Sequence, residues 1–359
     1  MDLADLLKHA VEHGASDLHL TAMRPPMVRI SGKLIPSGFD TELTHDDTKA
    51  LIYSILTDDQ KAKFEEEHEL DFSIGIPGIS RFRVNVFMQR GCVSGVFRTI
   101  GENIPSCEEL ALNETVQQLA MLPRGLVLVT GPTGCGKSTT LAAMINLINQ
   151  ERDGHIITIE DPIEFLHPHI RSTINQRELG SDTYSFPRAL KAVLREDPNV
   201  ILVGEMRDLE TIAAALTLAE TGHLVLSTLH TQDAASTVDR IIDVFPPYQQ
   251  EQIRVMLSST LKGVVSQVLL PKADGHGRVA AREIMIVTPA ISAIIREAKT
   301  HQIYSAIQTG ANHGMVTMEK SLAELHKAEL ITDEDALSKA NHPQELRPLI
   351  TPRKLYKLQ

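Results

Sequence analysis

Cysteine is scarce in this chain, and its few cysteines are not paired in sequence. The three are Cys92, Cys107 and Cys135, and no two of them form a C-x-x-C pair. Neither a zinc ribbon nor a disulfide scaffold is supported, because each needs such pairs or a denser cysteine framework. This usage of cysteine favours a reduced, cytosolic protein.

Long apolar runs are missing too. None approaches the roughly 20 residues that a membrane-spanning helix needs. In the first segment, MDLADLLKHAVEHGASDLHL, Asp2, Asp5 and Lys8 interrupt the apolar positions, which excludes a signal peptide. We therefore expect a soluble protein whose contacts with a membrane are peripheral or made through a partner.

Positive charge is also low. The 359 residues carry a formal net charge of −11, whereas gripping nucleic acid requires a basic surface. We expect no nucleic-acid partner, although a local basic patch is compatible with these numbers. At roughly 150 residues per domain, the length suggests two or three domains.

The first hundred residues predict a small α+β domain. Helices are indicated by the apolar spacing before Gly14, by a cap at Thr44 and by the charged stretch DQKAKFEEEHEL. Alternating apolar and polar residues indicate antiparallel strands, among them DFSIGI, SRFRVNVFMQ and CVSGVFRTI. Residues 101–120, with Gly101 and Pro105, are predicted to be an interdomain linker, and we expect them to act as a hinge.

From residue 121 onward, apolar strands alternate with helices. The strands are GLVLVTG, HIITIED, NVILVGE and HLVLSTLH, with segments such as STTLAAMINLINQ between them. This alternation is typical of an α/β fold with a buried parallel sheet. Beyond residue 250 we expect mostly helix up to residue 335. Residues 336–359 are expected to form a tail that is loosely ordered or docks on another surface.

The stretch GPTGCGKSTT has the pattern of a phosphate-binding loop. It matches G-x-x-x-x-G-K-[ST] at Gly131, Gly136, Lys137 and Ser138, after an apolar strand and before a helix. Backbone N–H groups and a helix N-terminus favour phosphate at such a place. Lys137 is expected to reach the β and γ phosphates and Ser138 to bind Mg²⁺. The other loop residues expected at the nucleotide are Thr133, Gly134, Cys135 and Thr139.

Cys135 lies inside this loop. A thiol at a helix N-terminus can have a lowered pKa, which predicts modest sensitivity to alkylating reagents. Alternatively, the residue is a small filler of which only the backbone matters.

Two acidic segments follow predicted strands. Glu205, at the end of NVILVGE, can hold Mg²⁺ through water, polarise the attacking water, or merely cap the next helix. Glu160, Asp161 and Glu164 follow another strand, and parallel strands end at one crevice. Glu164 and Glu205 are alternative candidates for activating water. Asp161 is either part of this site or a turn residue before Pro162.

Basic side chains lie near the same strand ends. Arg207 can sense a γ-phosphate, or it can pair with Asp208 or another neighbour. His223 and His230 are seven residues apart in TGHLVLSTLH, so on a straight strand they would face opposite sides, which argues against one shared metal ion. Either histidine can donate a hydrogen bond near a γ-phosphate and report the nucleotide state.

Arg81, Arg83 and Arg98 lie on the predicted N-terminal strands. On a plain sheet they are solvated charges. In a ring NTPase, arginines of a neighbouring subunit often complete the site, because the transition state carries spread negative charge.

Taken together, these segments resemble the PilT-type retraction ATPases of type IV pilus machines, within the larger GspE-like superfamily of secretion ATPases. The similarity covers about residues 1–335, and the segments stand in the family's order. They are GASDLHL (14–20), SRFRVNVF (80–87), VFRTI (96–100), PRGLVLVTGPTGCGKSTT (123–140), ITIEDPIEFLH (157–167), LREDPNVILVGEMRDLETI (194–212), TGHLVLSTLHT (221–231) and AISAIIRE (290–297).

The resemblance implies a hexameric ring with ATP at the subunit interfaces. Each subunit would have an N-terminal PAS-like domain (1–100) and a RecA-like P-loop NTPase domain (121–335). The resemblance assigns Glu160, Asp161 and Glu164 to an acidic box, Glu205 to the Walker B motif, His223 and His230 to a histidine box, and Arg81 and Arg83 to the arginines of the N-terminal domain.

The implied function is ATP hydrolysis that drives pilus retraction and twitching motility. The ring would lie in the cytoplasm at the inner face of the inner membrane. There it would dock on a platform protein and return pilin to the membrane. The chain departs from the family at Cys135, where Ser is usual, and at Ser292 and Ala293 in the C-terminal signature.

Four other functions fit parts of the pattern. A pilus-assembly ATPase is disfavoured, since such proteins usually carry an extra N-terminal domain and a four-cysteine metal module. An accessory paralogous retraction ATPase, or a secretion or conjugation motor of the same superfamily, stays open. A nucleotide-gated module that hydrolyses little is disfavoured by the two acidic segments at strand ends.

Overall fold

The structure is a computed structural model that describes residues 2–30, 32–100 and 104–350. It is a mixed α/β fold with two sheets, which confirms the predicted fold class at this level. The chain divides into two compact units. The first comprises Met1–Asn103 and Pro162–Leu166, and the second Ile104–Asp161 and His167–Gln359. In the part of the chain that the structure describes, no helix combines the length and apolarity needed to cross a membrane.

The first unit is built on a six-stranded antiparallel sheet with the order β3-β2-β1-β6-β5-β4. Its elements are α1 (Leu3–Glu12), β1 (Asp17–Leu20), β2 (Met27–Ile30), β3 (Lys33–Pro36), α2 (His45–Tyr53), α3 (Asp58–Glu67), β4 (Glu69–Ile76), β5 (Ser80–Gln89) and β6 (Cys92–Ile100).

Only one face of this sheet packs against the unit's hydrophobic core. Along β5, Phe82, Val84 and Val86 are buried, whereas Arg83 between them is exposed. Two helices begin at capping boxes, α2 at Thr44 and α3 at Thr57, where side chain and backbone satisfy each other's hydrogen bonds. These caps and the two-residue alternation explain why the predicted helices and strands of this region form.

The second unit is built on a seven-stranded sheet with the order β13-β12-β7-β11-β10-β8-β9. Its strands are β7 (Gly125–Thr130), β8 (His155–Glu160), β9 (Thr173–Glu178), β10 (Val200–Val203), β11 (Leu224–Leu229), β12 (Leu261–Pro271) and β13 (Arg278–Ile286). Its α-helices are α4 (Glu114–Ala120), α5 (Lys137–Glu151), α6 (Phe186–Val193), α7 (Leu209–Glu220), α8 (Ala234–Asp243), α9 (Pro247–Thr260), α10 (Pro289–Arg296), α11 (Ile303–Thr309), α12 (Met318–Lys327), α13 (Asp333–Lys339) and α14 (Pro343–Ile350).

Every strand pair in this sheet is parallel except β12 with β13. Both faces are covered. Along β7, Leu126 and Leu128 belong to one hydrophobic cluster, and Val127 and Val129 belong to another. Burial on both faces is the reason why these strands read as continuous apolar runs.

Three strands of this sheet, β9, β12 and β13, were not predicted from the sequence. The last two form a hairpin across Lys272–Gly277 at the place where mostly helix was expected. The signal was present, because GVVSQVLL is rich in β-branched residues and the turn contains Asp274-Gly275.

The two predicted boundary segments contain packed helices. In residues 101–120, α4 places Val116 and Leu119 in the core of the second unit, while Gly101 lies outside the described residues. Near the C-terminus, α14 buries Leu346 and Ile350, so the chain is not a loose tail up to Ile350. Their spacing of four residues puts both on one helix face. Residues 351–359 lie outside the described part.

Candidate nucleotide site

Four parallel strands of the second unit end at one edge of the sheet. Thr130, the last residue of β7, pairs with Leu229, the last residue of β11. Val203 at the end of β10 is in register with Ile159 near the end of β8. The phosphate loop, His230, Glu205 and the segment beginning at Glu160 therefore all start from this edge. In open sheets of parallel strands, ligands bind outside the carboxyl ends of the strands.

The loop between β7 and α5 has the backbone that the sequence motif predicts. Gly131, Gly134 and Gly136 have φ values of 139°, 76° and 89°, a region that favours glycine. A Cβ atom on Gly131 would lie only 2.2 Å from the carbonyl oxygen of Gln267. The α5 helix begins at Lys137 directly after Gly136, so its free N–H groups face the loop.

The Lys137 ammonium lies over this loop. Its Nζ donates to the carbonyl oxygens of Gly131 at 2.9 Å and Pro132 at 3.2 Å. Thr133 and Gly134 at the tip are exposed, whereas Ser138 and Thr139 in the first turn of α5 are half-buried. These placements form a glycine-rich cradle with the positive charge of Lys137 beside a helix N-terminus, a geometry suited to phosphate.

Gln267 on β12 supports the loop from behind, and it was not predicted from the sequence. Its side chain is 1% exposed. It accepts a hydrogen bond from Thr140 Oγ1 at 2.9 Å and donates one to the Cys135 carbonyl at 2.7 Å. A polar amide inside the apolar run GVVSQVLL was the available signal, since buried amides are retained where they are hydrogen-bonded.

The predicted thiol sensitivity of Cys135 does not fit its surroundings. The residue is only 3% exposed. Burial raises the pKa of its thiol, and the nearby Lys137 charge and backbone hydrogen bonds offset this only in part. The neutral, enclosed thiol is a poor nucleophile, so the filler alternative is the one that the structure favours.

Glu205 forms the centre of a charged cluster after β10. Arg207 Nη2 lies 2.8 Å from one carboxylate oxygen, and His230 Nε2 lies 3.3 Å from the other. Arg207 thus pairs with Glu205 and not with Asp208, which caps α7 by accepting from Thr211 N at 2.9 Å. The structure brings together three of the four predicted catalytic residues.

The backbone around this cluster is fixed by the neighbouring strands. Gly204 N donates to Ile159 O at 2.8 Å, and Thr228 Oγ1 donates to Gly204 O at 2.7 Å. A Cβ atom on Gly204 would lie 3.2 Å from Ile159 O. Glu205 therefore leaves the sheet at a defined place, one residue beyond this anchored glycine.

Electrostatics keep the Glu205 carboxylate ionised. Burial by itself acts to raise its pKa, but the hydrogen bonds and positive charges of Arg207 and His230 outweigh burial, and the pKa lies below its ordinary value. The pKa of Arg207 is raised, mainly by its hydrogen bond and ion pair with Glu205 and to a smaller extent by Asp161. A charged carboxylate can orient water or hold a cation.

The three acidic residues in the segment after β8 have different surroundings. Glu160 Oε1 accepts hydrogen bonds from Thr158 Oγ1 at 2.6 Å and Gln176 Nε2 at 3.1 Å. Asp161 is exposed, and its charge acts on Arg207. Glu164 is exposed and lies in the Pro162–Leu166 segment that groups with the first unit.

His223 and His230 lie at opposite ends of the same strand, β11. His223 precedes β11, and its carbonyl oxygen accepts from Gly125 N, the first residue of β7, at 2.9 Å. Along the strand of Leu224–Leu229, about 20 Å separates the two histidines. The ring Nδ1 of His223 instead contacts Leu218 O at 3.0 Å, near the end of α7. This chain's own phosphate loop is therefore not within reach of His223.

The arginines on β5 and β6, Arg81, Arg83 and Arg98, lie on the sheet face away from the core. Arg83 on β5 is directly opposite Arg98 on β6, which is opposite Asp17 on β1. Arg98 Nε and Asp17 Oδ1 are 2.9 Å apart. Arg81 Nη2 donates to Ser73 Oγ at 2.6 Å. These side chains form a polar, mainly basic row across the sheet.

Comparisons with known proteins agree with this architecture. The family model described as "Type II/IV secretion system protein" matches residues 2–347. The chain is 53% identical to the "Type IV pilus retractation ATPase PilT" of Pseudomonas aeruginosa, over 96% of this chain and 99% of that protein. It is 43% identical to the "Type IV pilus ATPase PilU" of the same species, over 98% of this chain and 91% of that protein.

A solved structure shares the fold over nearly the whole chain. It is described as "Crystal Structure of the Pilus Retraction Motor PilT and Bound ADP" and has a TM-score of 0.91. The two are 50% identical, and the match covers 97% of this chain and 99% of the other. From the family match and the near full-length relatives, the chain belongs to the type II/IV secretion system protein family.

Proposed function

We propose that this protein is an ATP-hydrolysing motor that drives retraction of type IV pili. The observation that carries the proposal is the near full-length similarity, 53% over 96% of the chain, to a pilus retraction ATPase. The phosphate loop and the Glu205 cluster on one sheet edge supply the chemistry that such a motor needs.

Nucleotide binding is assigned to the loop and its helix. The backbone N–H groups of Gly131–Ser138 would surround the phosphates, with further contacts from Thr133 and Thr139. Lys137 would turn from the loop carbonyls that it now contacts towards the β and γ phosphates. Ser138 and Glu205 fit a magnesium site, directly or through water, since hydroxyl and carboxylate oxygens are its preferred ligands. Bound Mg²⁺ would neutralise phosphate charge.

Hydrolysis is assigned to the Glu205 cluster. Adjacent strands are about 4.8 Å apart, and β11 lies between β7 and β10, so Glu205 starts about 10 Å from the loop, room for phosphates and one water. Glu205 would orient the water whose oxygen attacks the γ-phosphorus while the bond to the β-phosphate oxygen breaks, giving ADP and phosphate. Arg207 and His230 contact its carboxylate and would respond to the γ-phosphate. Glu164 is the alternative residue for activating water.

Assembly and mechanics complete the proposal. The first unit would be the PAS-like domain and the second the RecA-like domain, in a homohexamer whose sites lie between subunits. Arg81 and Arg83 of one subunit would approach the nucleotide of the next. The ring would work in the cytoplasm, docked on a platform protein of the inner membrane and acting indirectly on pilin. Nucleotide turnover would move the two domains about the part of the predicted 101–120 linker that precedes α4, because α4 packs in the core of the second unit.

Live-cell imaging tests the direction of force. In a host deleted for the gene, labelled pili should extend and rarely retract, and the wild-type gene should restore retraction whereas Glu205→Gln should not. Glu196→Gln is the matched control, because Glu196 pairs with Arg177 at 2.7 Å before β10 and does not join the cluster. Cells without surface pili would mean that the motor builds pili.

One alternative has its own support. The 43% identity to a second pilus ATPase of Pseudomonas aeruginosa, over 98% of the chain, fits an accessory retraction ATPase. In that case the deletion would leave retraction events frequent but weaken retraction under load. Pili that are unchanged in both respects would favour a secretion or conjugation motor.

A further inference from the structure

We propose that Gln267 is a positioning residue that directs a backbone N–H of the phosphate loop at the nucleotide, with Thr140 fixing its orientation. The inference rests on the proposed nucleotide binding and adds to it a residue outside the loop motif.

Strand register places Gln267 level with the start of the loop. Ser266 on β12 pairs with Thr130, the last residue of β7, so Gln267 follows beside Gly131. The two strands come so close there that a Cβ atom on Gly131 would lie 2.2 Å from the Gln267 carbonyl oxygen and 2.7 Å from Cys135 Sγ. The loop is thus built directly against this residue of β12.

The orientation of the Gln267 amide follows from its two partners. The Cys135 carbonyl can only accept a hydrogen bond, so the NH₂ group must face it, at 2.7 Å. Oε1 is then left for the Thr140 hydroxyl, at 2.9 Å. Thr140 is 2% exposed and lies in the first turn of α5, so the amide joins the loop to the helix that follows it.

The consequence for the ligand comes from peptide geometry. In a trans peptide the C=O and the following N–H point in opposite directions. With the Cys135 carbonyl held towards β12, the Gly136 N–H points away from β12, to the open side of the loop. Gly136 can take this conformation, with φ of 89°, without a steric penalty. Gln267 therefore sets the direction of the Gly136 N–H, a hydrogen-bond donor for phosphate, without contacting the phosphate itself.

The side-chain chemistry at position 267 has to be an amide. A carboxylate cannot donate to the Cys135 carbonyl. A thioether cannot donate either and accepts only weakly, and an alkyl chain can make neither contact. Without the hydrogen bond from Gln267 to the Cys135 carbonyl, the Cys135–Gly136 peptide is free to rotate. Its carbonyl oxygen could then face the phosphates. Ser266 provides the matched control, because its hydroxyl bonds Thr130 Oγ1 at 2.8 Å between the same two strands but does not touch the loop.

The test measures the affinity of the full chain for ADP and adenosine, by displacement of a fluorescent ADP analogue, and its thermal unfolding. Loss of one hydrogen bond to a charged group corresponds to a loss of affinity on the order of 10- to 100-fold. We expect this loss for ADP in Gln267→Met and Gln267→Glu, with adenosine affinity unchanged. Ser266→Ala should retain ADP affinity while unfolding at a temperature similar to that of Gln267→Met.

Thr140 supplies a second, milder variant in case a change at position 267 prevents folding. Thr140→Val should weaken ADP binding selectively, and Thr140→Ser, which keeps the hydroxyl, should restore it. Equal losses for ADP and adenosine, or a loss that follows thermal stability across all variants, would overturn the positioning role. If the wild-type chain binds ADP and the Gln267 variants bind it equally well, only this inference fails. A wild-type chain that does not bind ADP overturns the proposed function as well.

Discussion

The two sheets of this protein present chemistry in different ways. The six-stranded sheet of the first unit buries one face and leaves the other polar, so Arg83 and Arg98 can stand in a row across its middle. The seven-stranded sheet of the second unit is covered on both faces by hydrophobic clusters. Its candidates for direct contact with the nucleotide or the attacking water follow the ends of strands, at Gly131, Glu205 and His230, whereas Gln267 supports the loop from within β12.

The difference follows from how each sheet is connected. Antiparallel neighbours can be joined by short hairpins, which leave a face free, whereas parallel strands need crossover helices that cover both faces. A parallel sheet therefore offers its carboxyl edge, where loops lead into helix N-termini with free N–H groups. An open antiparallel face offers alternate side chains of its strands instead. This contrast predicts that substitutions at the strand ends of the second sheet reduce activity, whereas substitutions within strands reduce stability.

The largest expected effect is at the carboxyl edge of β7. Lys137→Ala removes a positive charge that lies over the phosphate loop, and we expect ATP hydrolysis to fall on the order of a thousandfold. Phosphate release under saturating ATP measures it. The control is Lys262→Ala, because Lys262 lies beside Gly125 at the amino edge of the same strand. Comparable losses in both variants would contradict the special role of the carboxyl edge.

Substitutions within strands should change the free energy of unfolding differently in the two sheets. On β7, Leu128→Ala should cost roughly 2–5 kcal/mol and Val129→Ala about 2 kcal/mol, because neighbours on this strand enter different clusters.

On β5 only one of two faces should respond. Phe82→Ala should cost roughly 3–5 kcal/mol, and Asn85→Ala, on the opposite face, less than about 1 kcal/mol. Urea unfolding of all four variants measures the free energies. A large loss of unfolding free energy in Asn85→Ala would mean that the polar face of the first sheet also contributes to packing.

The charge cluster at the end of β10 should control turnover more than binding. Glu205→Gln keeps the size of the side chain but removes the charge that Arg207 and His230 hold, so kcat should fall roughly 10²- to 10³-fold. The affinity for ADP should change little, as measured by titration. Glu196→Gln should leave both quantities near the wild-type values. Weakened ADP binding with unchanged kcat would move Glu205 from water activation to nucleotide binding.

Glu283 on β13 should give the second unit a pH-dependent stability. Its carboxylate is 1% exposed, accepts from Ala234 N at 2.8 Å at the start of α8, and also faces Asp233, Glu319 and the backbone of Met318. Burial is the main cause that raises its pKa from the ordinary 4.5 to about 7.

The folded chain therefore holds a proton at Glu283 that the unfolded chain releases above about pH 4.5. Stability should fall as pH rises from there through about 7, and Glu283 should cost roughly 3 kcal/mol above that range. Glu283→Gln should remove this slope in urea unfolding measured between pH 5 and pH 8. A variant with the same slope as the wild type would assign the pH dependence to another group.

Much of the site could be predicted because its signals are local. The glycines, Lys137 and Ser138 are fixed by a short motif between an apolar strand and a helix. Glu205 was predicted because it is an acid at the end of an apolar strand, and in the structure it lies with Arg207 and His230. His223 belonged to the same sequence motif as His230, but the length of β11 separates them.

Contacts between segments distant in sequence were not predictable. Gln267 meets Cys135 across 132 positions and Thr140 across 127. The burial of Cys135, which reverses the expected pKa shift, depends on that same packing against β12.

By itself, the sequence determined the class of fold, the phosphate loop and the acids at the strand ends. Each of these depends on periodicity or on the conformations allowed to a few adjacent residues. Only the tertiary structure decided which charges neutralise Glu205, which histidine reaches the site edge, and what holds the loop from behind. The physical reason is that burial, ion pairing and amide hydrogen bonds depend on distances that exist only after strands far apart in the chain have paired.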